Sequence, residues 1–104
     1  MEFQDLTTRA LSIREQYRKF EKQRYGESWT SEEIALGLVG DVGDLVKLVM
    51  AESGRRDIPD SKIKLEHELA DCLWSLIVLA DLHDIDLEKS FLETMDTLEK
   101  HLSK

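Results

Sequence analysis

Two pairs of acidic residues, each with a spacing of three, lie in otherwise apolar stretches of this sequence. Asp41 and Asp44 form the first pair, and Glu68 and Asp71 form the second. Residues three apart lie on the same face of an α-helix, so each pair presents two carboxylates side by side. Because burying an ionised carboxylate without a partner is very costly, four such groups among apolar residues require compensating cations.

Basic side chains near these pairs are scarce. Lys47 is the only Lys or Arg between Ser31 and Glu52, and none lies between Lys64 and Lys89. Mg²⁺ and Mn²⁺ prefer carboxylate and water oxygens, and acids on two facing helices can converge on such ions. A di-iron site would need Glu-x-x-His, and none of the three histidines has a Glu three residues before it. We therefore expect Mg²⁺ or Mn²⁺ at the four carboxylates.

Two other interpretations of the acid pairs stay open. Acids three apart occur by chance on solvated helix faces, and residues 40–44 (GDVGD) could form a turn instead of a helix. The apolar residues on both sides continue with helical periodicity, which favours the helix. Gly37, Gly40 and Gly43 recur every three residues beside the acids, and we expect them to allow close approach of a neighbouring helix or a ligand.

Four helices are predicted to position these residues. Apolar residues spaced three and four apart from Phe3 to Phe20 predict a first amphipathic helix that Gly26 ends. Thr30 and Glu33 fit a capping box, so a second helix should run from about residue 31 to 53 and end at Gly54.

The third helix should begin at Asp60 or Ser61, either of which can cap it, and reach about His83. A fourth helix follows with Leu87, Phe91, Met95, Leu98 and Leu102 on one side. Short connections between four helices predict an all-α fold, a four-helix up-and-down bundle, with residues 1–104 forming a single domain.

Composition excludes several classes of protein. With 104 residues, 41% hydrophobic and 35% charged, the chain is long enough for one globular domain. A net charge of −8 argues against a nucleic-acid partner, and no stretch reaches the roughly 20 apolar residues that cross a membrane. A lone Cys72 and the absence of a signal peptide lead us to expect a cytoplasmic protein. The third helix is apolar on more faces than one chain would cover, which predicts a homodimer or homotetramer.

Two motifs resemble those of a known family. Residues 38–45 (LVGDVGDL), followed about two dozen residues later by residues 68–71 (ELAD), resemble the signature of the MazG-like all-α nucleoside triphosphate pyrophosphohydrolases. The sequence is most similar to the dCTP pyrophosphatase branch, over about residues 25–98. The resemblance implies a helical bundle that assembles as a dimer or a dimer of dimers. It also implies a Mg²⁺-dependent hydrolase that cleaves a nucleoside triphosphate between the α- and β-phosphates, releasing a nucleoside monophosphate and pyrophosphate.

The resemblance also implies roles for individual residues. Asp41 and Asp44 match the first motif's metal-binding glutamates, and Glu68 and Asp71 match the second motif, so all four are expected to bind metal and serve catalysis through a metal-activated water. A further three residues are expected to bind substrate, namely Tyr25, Trp29 and Asp96. Tyr25 and Trp29 lie where the family places aromatic residues over the base, although packing between the first two helices is the alternative.

The chain also departs from the family pattern. Its first motif has Asp-x-x-Asp where the family usually has Glu-x-x-Glu, so each side chain is one methylene shorter. Residues 94–98 (TMDTL), which include Asp96, lack the Lys and Asn that flank the matching segment of the branch. A second hypothesis therefore stays open, in which the chain is a catalytically weak or inactive relative that acts as a nucleotide- or metal-binding oligomer.

Overall fold

The structure, a computed structural model, describes residues 1–103 and consists of four α-helices in this range. They are α1 (Phe3–Tyr25), α2 (Ser31–Glu52), α3 (Ser61–Leu82) and α4 (Leu87–Leu102). No strand occurs between residues 1 and 103, so the predicted all-α fold class is confirmed. No helix in this part of the chain has the length and apolar character needed to cross a membrane.

The boundary between α1 and α2 forms as the sequence predicts. Gly26 adopts a left-handed conformation with φ 82° and its N–H donates to the carbonyl of Lys22, which ends α1. Thr30 and Glu33 form the capping box, since the Glu33 N–H donates to Thr30 Oγ1 at 3.2 Å and the Thr30 N–H donates to Glu33 Oε1 at 3.0 Å.

The connection between α2 and α3 agrees with the sequence in its bounds but not in its cap. Gly54 follows the end of α2 with φ 83°, as expected. Asp60 precedes α3 but has φ 55°, and its side chain makes no capping hydrogen bond, whereas a normal N-cap residue has an extended backbone. Ser61 is already helical, and its hydroxyl donates to Glu52 Oε2 at 3.2 Å. Asp60, one of the two predicted residues, therefore occupies the N-cap position of α3 but does not cap the helix with its side chain.

The core lies between α2 and α3, which pack together, with α1 against α3. Most of the buried apolar side chains belong to α3, and Val78 is the most deeply buried, with 1% exposed. Cys72 is buried there as well, as expected of a small apolar side chain. Trp74 fixes α1 to α3, because its indole N–H donates to the Ala10 carbonyl at 3.1 Å. Its ring also packs edge-on against Tyr17, with the two ring centroids 5.8 Å apart.

The apolar stripe of α4 is not covered by the described part of the chain. No residue of α4 is buried, and Phe91, Leu98 and Leu102 are 58%, 50% and 83% exposed. Apolar residues of α2 are also exposed, including Leu36 at 72% and Val39 at 70%. The surface of a single chain therefore exposes many large apolar side chains on α2 and α4, as surfaces that bind another molecule often do.

The glycines of α2 do not make the close contact with a neighbouring helix that was one of their two expected roles. Gly37, Gly40 and Gly43 are helical, and a Cβ added at any of them would meet no atom within 4 Å. The expected close approach of a neighbouring helix is therefore absent within residues 1–103. The open space is available to a ligand or to a second molecule.

We predict opposite effects of alanine at two of the glycines. Gly40→Ala should raise the free energy of unfolding by about 1 kcal/mol, because Ala is the better helix former and the space beside Gly40 is open. Gly26→Ala should lower it by about 1 kcal/mol, because φ 82° disfavours a side chain. Urea denaturation of both variants measures this. If Gly40→Ala is destabilised, another molecule covers this face of α2 in solution.

Candidate active site

Three of the predicted site residues converge where α2 packs on α3. Asp41 and Asp44 of α2 and Glu68 of α3 each offer a carboxylate oxygen, and these oxygens lie within 4.8 Å of one another. We refer to these three residues as the carboxylate cluster. Asp41 and Glu68 are half-buried and Asp44 is exposed, so the cluster opens to solvent on one side.

Glu68 is the member of the cluster most in need of a cation. Its Oε2 atom is buried and has no hydrogen-bond partner among residues 1–103. Burial is the largest cause that raises the pKa of Glu68 above its usual value. The negative charges of Asp41, Asp71 and Asp44 raise it further, while His67 acts in the opposite direction. A cation that binds beside this carboxylate would lower the free energy of its ionised form.

Asp71 lies next to the carboxylate cluster but is not a member of it. Its Oδ2 atom lies 3.1 Å from Nε2 of His67, which is on the preceding turn of α3, and the side chains of Asp71 and His67 are 46% and 73% exposed. The structure thus brings together three of the four predicted metal ligands and places the fourth one helical turn beyond Glu68, paired with an imidazole.

A cavity of about 550 Å³ adjoins the cluster on the side of Asp41, between α1, α2 and α3. Its walls include Asp41 and Asp71, and its volume falls within the range of small-molecule binding sites. We call it the aromatic cavity because five aromatic side chains line it, namely Tyr17, Phe20, Tyr25, Trp29 and Trp74. Tyr25 and Trp29 thus line the same cavity as two of the predicted metal ligands.

A buried ion pair that the sequence analysis missed holds Trp29 in place at this cavity. Arg14 Nη1 lies 3.5 Å from Glu21 Oε1, and both side chains are less than one tenth exposed. Both also bind the backbone of Trp29, since Arg14 Nη2 donates to its carbonyl at 2.6 Å and its N–H donates to Glu21 Oε1 at 2.8 Å. The available signal was spacing: Arg14 and Glu21 lie four and eleven residues after Ala10, on the face of α1 that packs inward.

A second cavity, of about 490 Å³, also adjoins the cluster. Asp44 and Glu68 lie in its wall, together with Lys47, Lys64 and His67. We call it the lysine cavity. The cluster therefore contributes Asp41 to a cavity with aromatic walls and Asp44 and Glu68 to a cavity lined by basic and aliphatic side chains.

Asp96 is placed away from both cavities. It is an exposed residue of α4, and neither the aromatic cavity nor the lysine cavity includes it. Asp86, near the turn before α4, has a structural role, because its carboxylate caps that helix by accepting from the Lys89 N–H at 3.1 Å. Among residues 1–103, the carboxylate cluster is the one group of metal-ligating side chains with suitable spacing.

The donor set fits a hard divalent cation. All three ligands are carboxylates, which Mg²⁺ and Mn²⁺ prefer, and no nitrogen or sulfur atom belongs to the group. The unpartnered Oε2 atom of Glu68 is a ligand atom that the protein itself does not satisfy. The open side of the cluster leaves room for water or a phosphate oxygen as further ligands, as Mg²⁺ usually requires.

Comparison with known families agrees with this site. A family model described as the MazG nucleotide pyrophosphohydrolase domain matches residues 29–102, more than two thirds of the chain. The matched segment contains the carboxylate cluster, Asp71 and helices α2 to α4, whereas α1 lies before it. A search of curated proteins and a search of solved structures each gave no significant match.

Removing the charge of Glu68 should stabilise the metal-free protein. A carboxyl whose pKa is raised by folding binds more protons in the folded state, so the stability of the folded state falls as pH rises past the ordinary carboxyl pKa. At neutral pH, Glu68→Gln should therefore melt at a higher temperature than the unmodified protein in the presence of a chelator. Mg²⁺ should raise the melting temperature of the unmodified protein but not that of Glu68→Gln.

Glu66→Gln is the matched control, because Glu66 is an exposed acid of the same helix outside the cluster. It should leave both the metal-free melting temperature and the Mg²⁺ effect unchanged. Equal Mg²⁺ stabilisation of all three proteins in differential scanning calorimetry would show that the ion binds elsewhere.

Proposed function

The chain belongs to the MazG nucleotide pyrophosphohydrolase family, and on that premise we propose that it is a Mg²⁺- or Mn²⁺-dependent nucleoside triphosphate pyrophosphohydrolase. It would cleave a (deoxy)nucleoside triphosphate into the monophosphate and pyrophosphate. The observation that carries this proposal is that members of the carboxylate cluster line both the aromatic cavity and the lysine cavity. A nucleotide has the same order of parts, with an aromatic base at one end and phosphates at the other.

The chain's own residues have distinct parts in this proposal. Asp41, Asp44 and Glu68 would hold the metal, which when bound neutralises phosphate charge and lowers the pKa of a coordinated water. We propose Asp71 as the fourth catalytic carboxylate. His67 Nε2 lies 3.1 Å from its Oδ2 atom, so Oδ1 would be the oxygen that accepts a proton from the attacking water.

The two cavities would orient the substrate. Tyr25 and Trp29 would contact the faces of the base in the aromatic cavity, with the α-phosphate over the carboxylate cluster. The β- and γ-phosphates would then extend into the lysine cavity, where Lys47 and Lys64 supply positive charge to the leaving pyrophosphate. Since the motifs resemble the dCTP pyrophosphatase branch, dCTP is the first substrate to examine. Asp96 lines neither cavity, so a role for it in substrate binding would depend on groups outside these cavities.

A second candidate function is supported by the position of Asp71. Its pairing with His67, outside the cluster, leaves the site with three convergent carboxylates, each Asp of α2 being one methylene shorter than the usual Glu. A weak or inactive relative that binds nucleotide and metal as an oligomer would have this geometry. Turnover distinguishes the two functions, whereas binding does not.

Pyrophosphate release from a panel of canonical and modified nucleoside triphosphates, with Mg²⁺ or Mn²⁺, tests the proposal. We expect release from at least one substrate, and Asp41→Asn and Glu68→Gln should each reduce kcat/KM by a factor of about 100 or more, because each removes a ligand charge at the reacting phosphate. Glu66→Gln should retain full activity. Nucleotide binding without release at high enzyme concentration would favour the second candidate function.

We also propose that residues 1–104 act as one domain and that the chain self-associates as a homodimer or homotetramer. α1 contributes to both the core and the aromatic cavity, so it belongs with α2 and α3. The exposed apolar stripe of α4 supplies a surface that a second copy can cover.

Sedimentation velocity tests the association. The unmodified chain should sediment as a dimer or tetramer, and Leu98→Lys should shift it towards the monomer by placing a charge on the apolar stripe. Thr97→Lys adds the same charge off the stripe and should leave the oligomer intact. A monomer in all three cases would contradict self-association.

A further inference from the structure

Trp29 is held at the aromatic cavity through its backbone and not through its ring. Its N–H donates to Glu21 Oε1 at 2.8 Å and its carbonyl accepts from Arg14 Nη2 at 2.6 Å. In the described part of the chain, neither of these backbone groups nor the indole N–H of Trp29 has another hydrogen-bond partner. Trp74, the other tryptophan of the cavity, is fixed directly, because its own indole N–H donates to the Ala10 carbonyl. The position of the Trp29 ring therefore depends on Arg14 and Glu21.

The two side chains that hold Trp29 are themselves costly to bury. Arg14 and Glu21 are only 6% and 5% exposed, and the attraction between two buried charges often fails to offset the cost of removing them from water. Apolar residues of similar volume can stabilise a fold as well as such a pair does. Stability alone is therefore a weak explanation of this pair, whereas its contacts with both polar backbone groups of one residue are specific.

Trp29 is also placed to contact a ligand. It lines the aromatic cavity and is 49% exposed, so much of its surface is accessible. It lies in the connection between α1 and α2, where no helical hydrogen bond restrains its backbone. If Arg14 and Glu21 did not hold it, a ligand would have to order this connection on binding, and that loss of entropy would weaken the affinity.

We propose that Arg14 and Glu21 are positioning residues for substrate binding, because they hold Trp29 where its ring contacts the base of the bound nucleotide. This inference rests on the proposed function, which assigns the aromatic cavity to the base. The pair orders Trp29 before the nucleotide enters and so lowers KM. Neither residue belongs to the carboxylate cluster, so the pair should have little effect on kcat.

The main variant combines Arg14→Met with Glu21→Leu. These apolar residues keep much of the buried volume, remove both contacts with Trp29 and leave no unpaired charge behind. KM for the best nucleoside triphosphate of the panel should rise about tenfold, which is the loss expected when an aromatic contact with a base is weakened. The value of kcat should change less than twofold, and circular dichroism should show that the double variant stays helical.

Trp29→Ala shows whether the pair acts through Trp29. Alone, this substitution should raise KM about tenfold. Added to the apolar double variant, it should raise KM no further, because both changes remove the same contact. If the pair had a merely structural role, the two effects would multiply to about a hundredfold increase.

Glu21→Asp is a milder second variant. It keeps the negative charge beside Arg14 but shortens the side chain by one methylene, which withdraws the acceptor from the Trp29 N–H. It should also raise KM with kcat unchanged, and it decides the question if the apolar double variant does not fold. The matched control combines Glu15→Leu with Arg18→Met, which removes an exposed pair of the same helix and should change neither KM nor kcat.

Each result bears on the inference. An unchanged KM in Trp29→Ala or in Glu21→Asp would overturn it, as would multiplied effects of the pair and Trp29→Ala. Pyrophosphate release with such results would leave the proposed function standing. If no triphosphate is hydrolysed, isothermal titration calorimetry of the same triphosphates with Mg²⁺ takes the place of KM. A non-multiplying tenfold rise in Kd would then support the inference although the hydrolase activity is refuted, and absence of binding by every triphosphate would overturn both.

Discussion

The structure depends on one electrostatic constraint, the half-buried carboxylate of Glu68 among other acids. Packing α2 on α3 brings Glu68 close to Asp41 and Asp44, and no Lys or Arg among residues 1–103 pairs with its buried Oε2 atom. Such a cluster opposes folding, because like charges at short range and partial dehydration both disfavour ionisation. The apolar contacts around α3 must outweigh that cost, and a divalent cation at the proposed site would relieve it. The proposed metal site is thus a place where stability is given up for binding.

Local signals in the sequence were sufficient to predict the helices. The turn at Gly26 and the capping box of Thr30 with Glu33 follow from short-range rules on backbone conformation and hydrogen bonding, and both are observed. The conformation of Asp60 did not follow from such a rule, because Asp tolerates the left-handed region as well as the N-cap. The exposure of α4 was also beyond the sequence, since an amphipathic pattern shows that a helix has an apolar face but not which molecule covers it.

The site residues could be predicted from the sequence only where their type is unusual among their neighbours. Acids in apolar helices are conspicuous, and this directed attention to Asp41, Asp44 and Glu68. The contact between Asp71 and His67 depends on the rotamers of the two side chains. Their spacing of four residues permits this contact but does not require it. Arg14 and Glu21 escaped notice because charged residues on a helix are ordinarily solvated, and their burial results from the path of the chain at Trp29.

The two sides of the site come from different parts of the chain. Residues 29–102, which match the family, contain the carboxylate cluster and both lysines of the second cavity. Much of the wall of the aromatic cavity comes from α1, which precedes that segment, including Arg14, Tyr17 and Phe20. Chemistry at the phosphates requires a fixed set of carboxylates, whereas selection of a base requires only a shaped wall and a few polar contacts. The proposed metal chemistry would then rest on the segment that matches the family, while α1, fixed to α3 by Trp74 and to Trp29 by Arg14, shapes much of the cavity beside it.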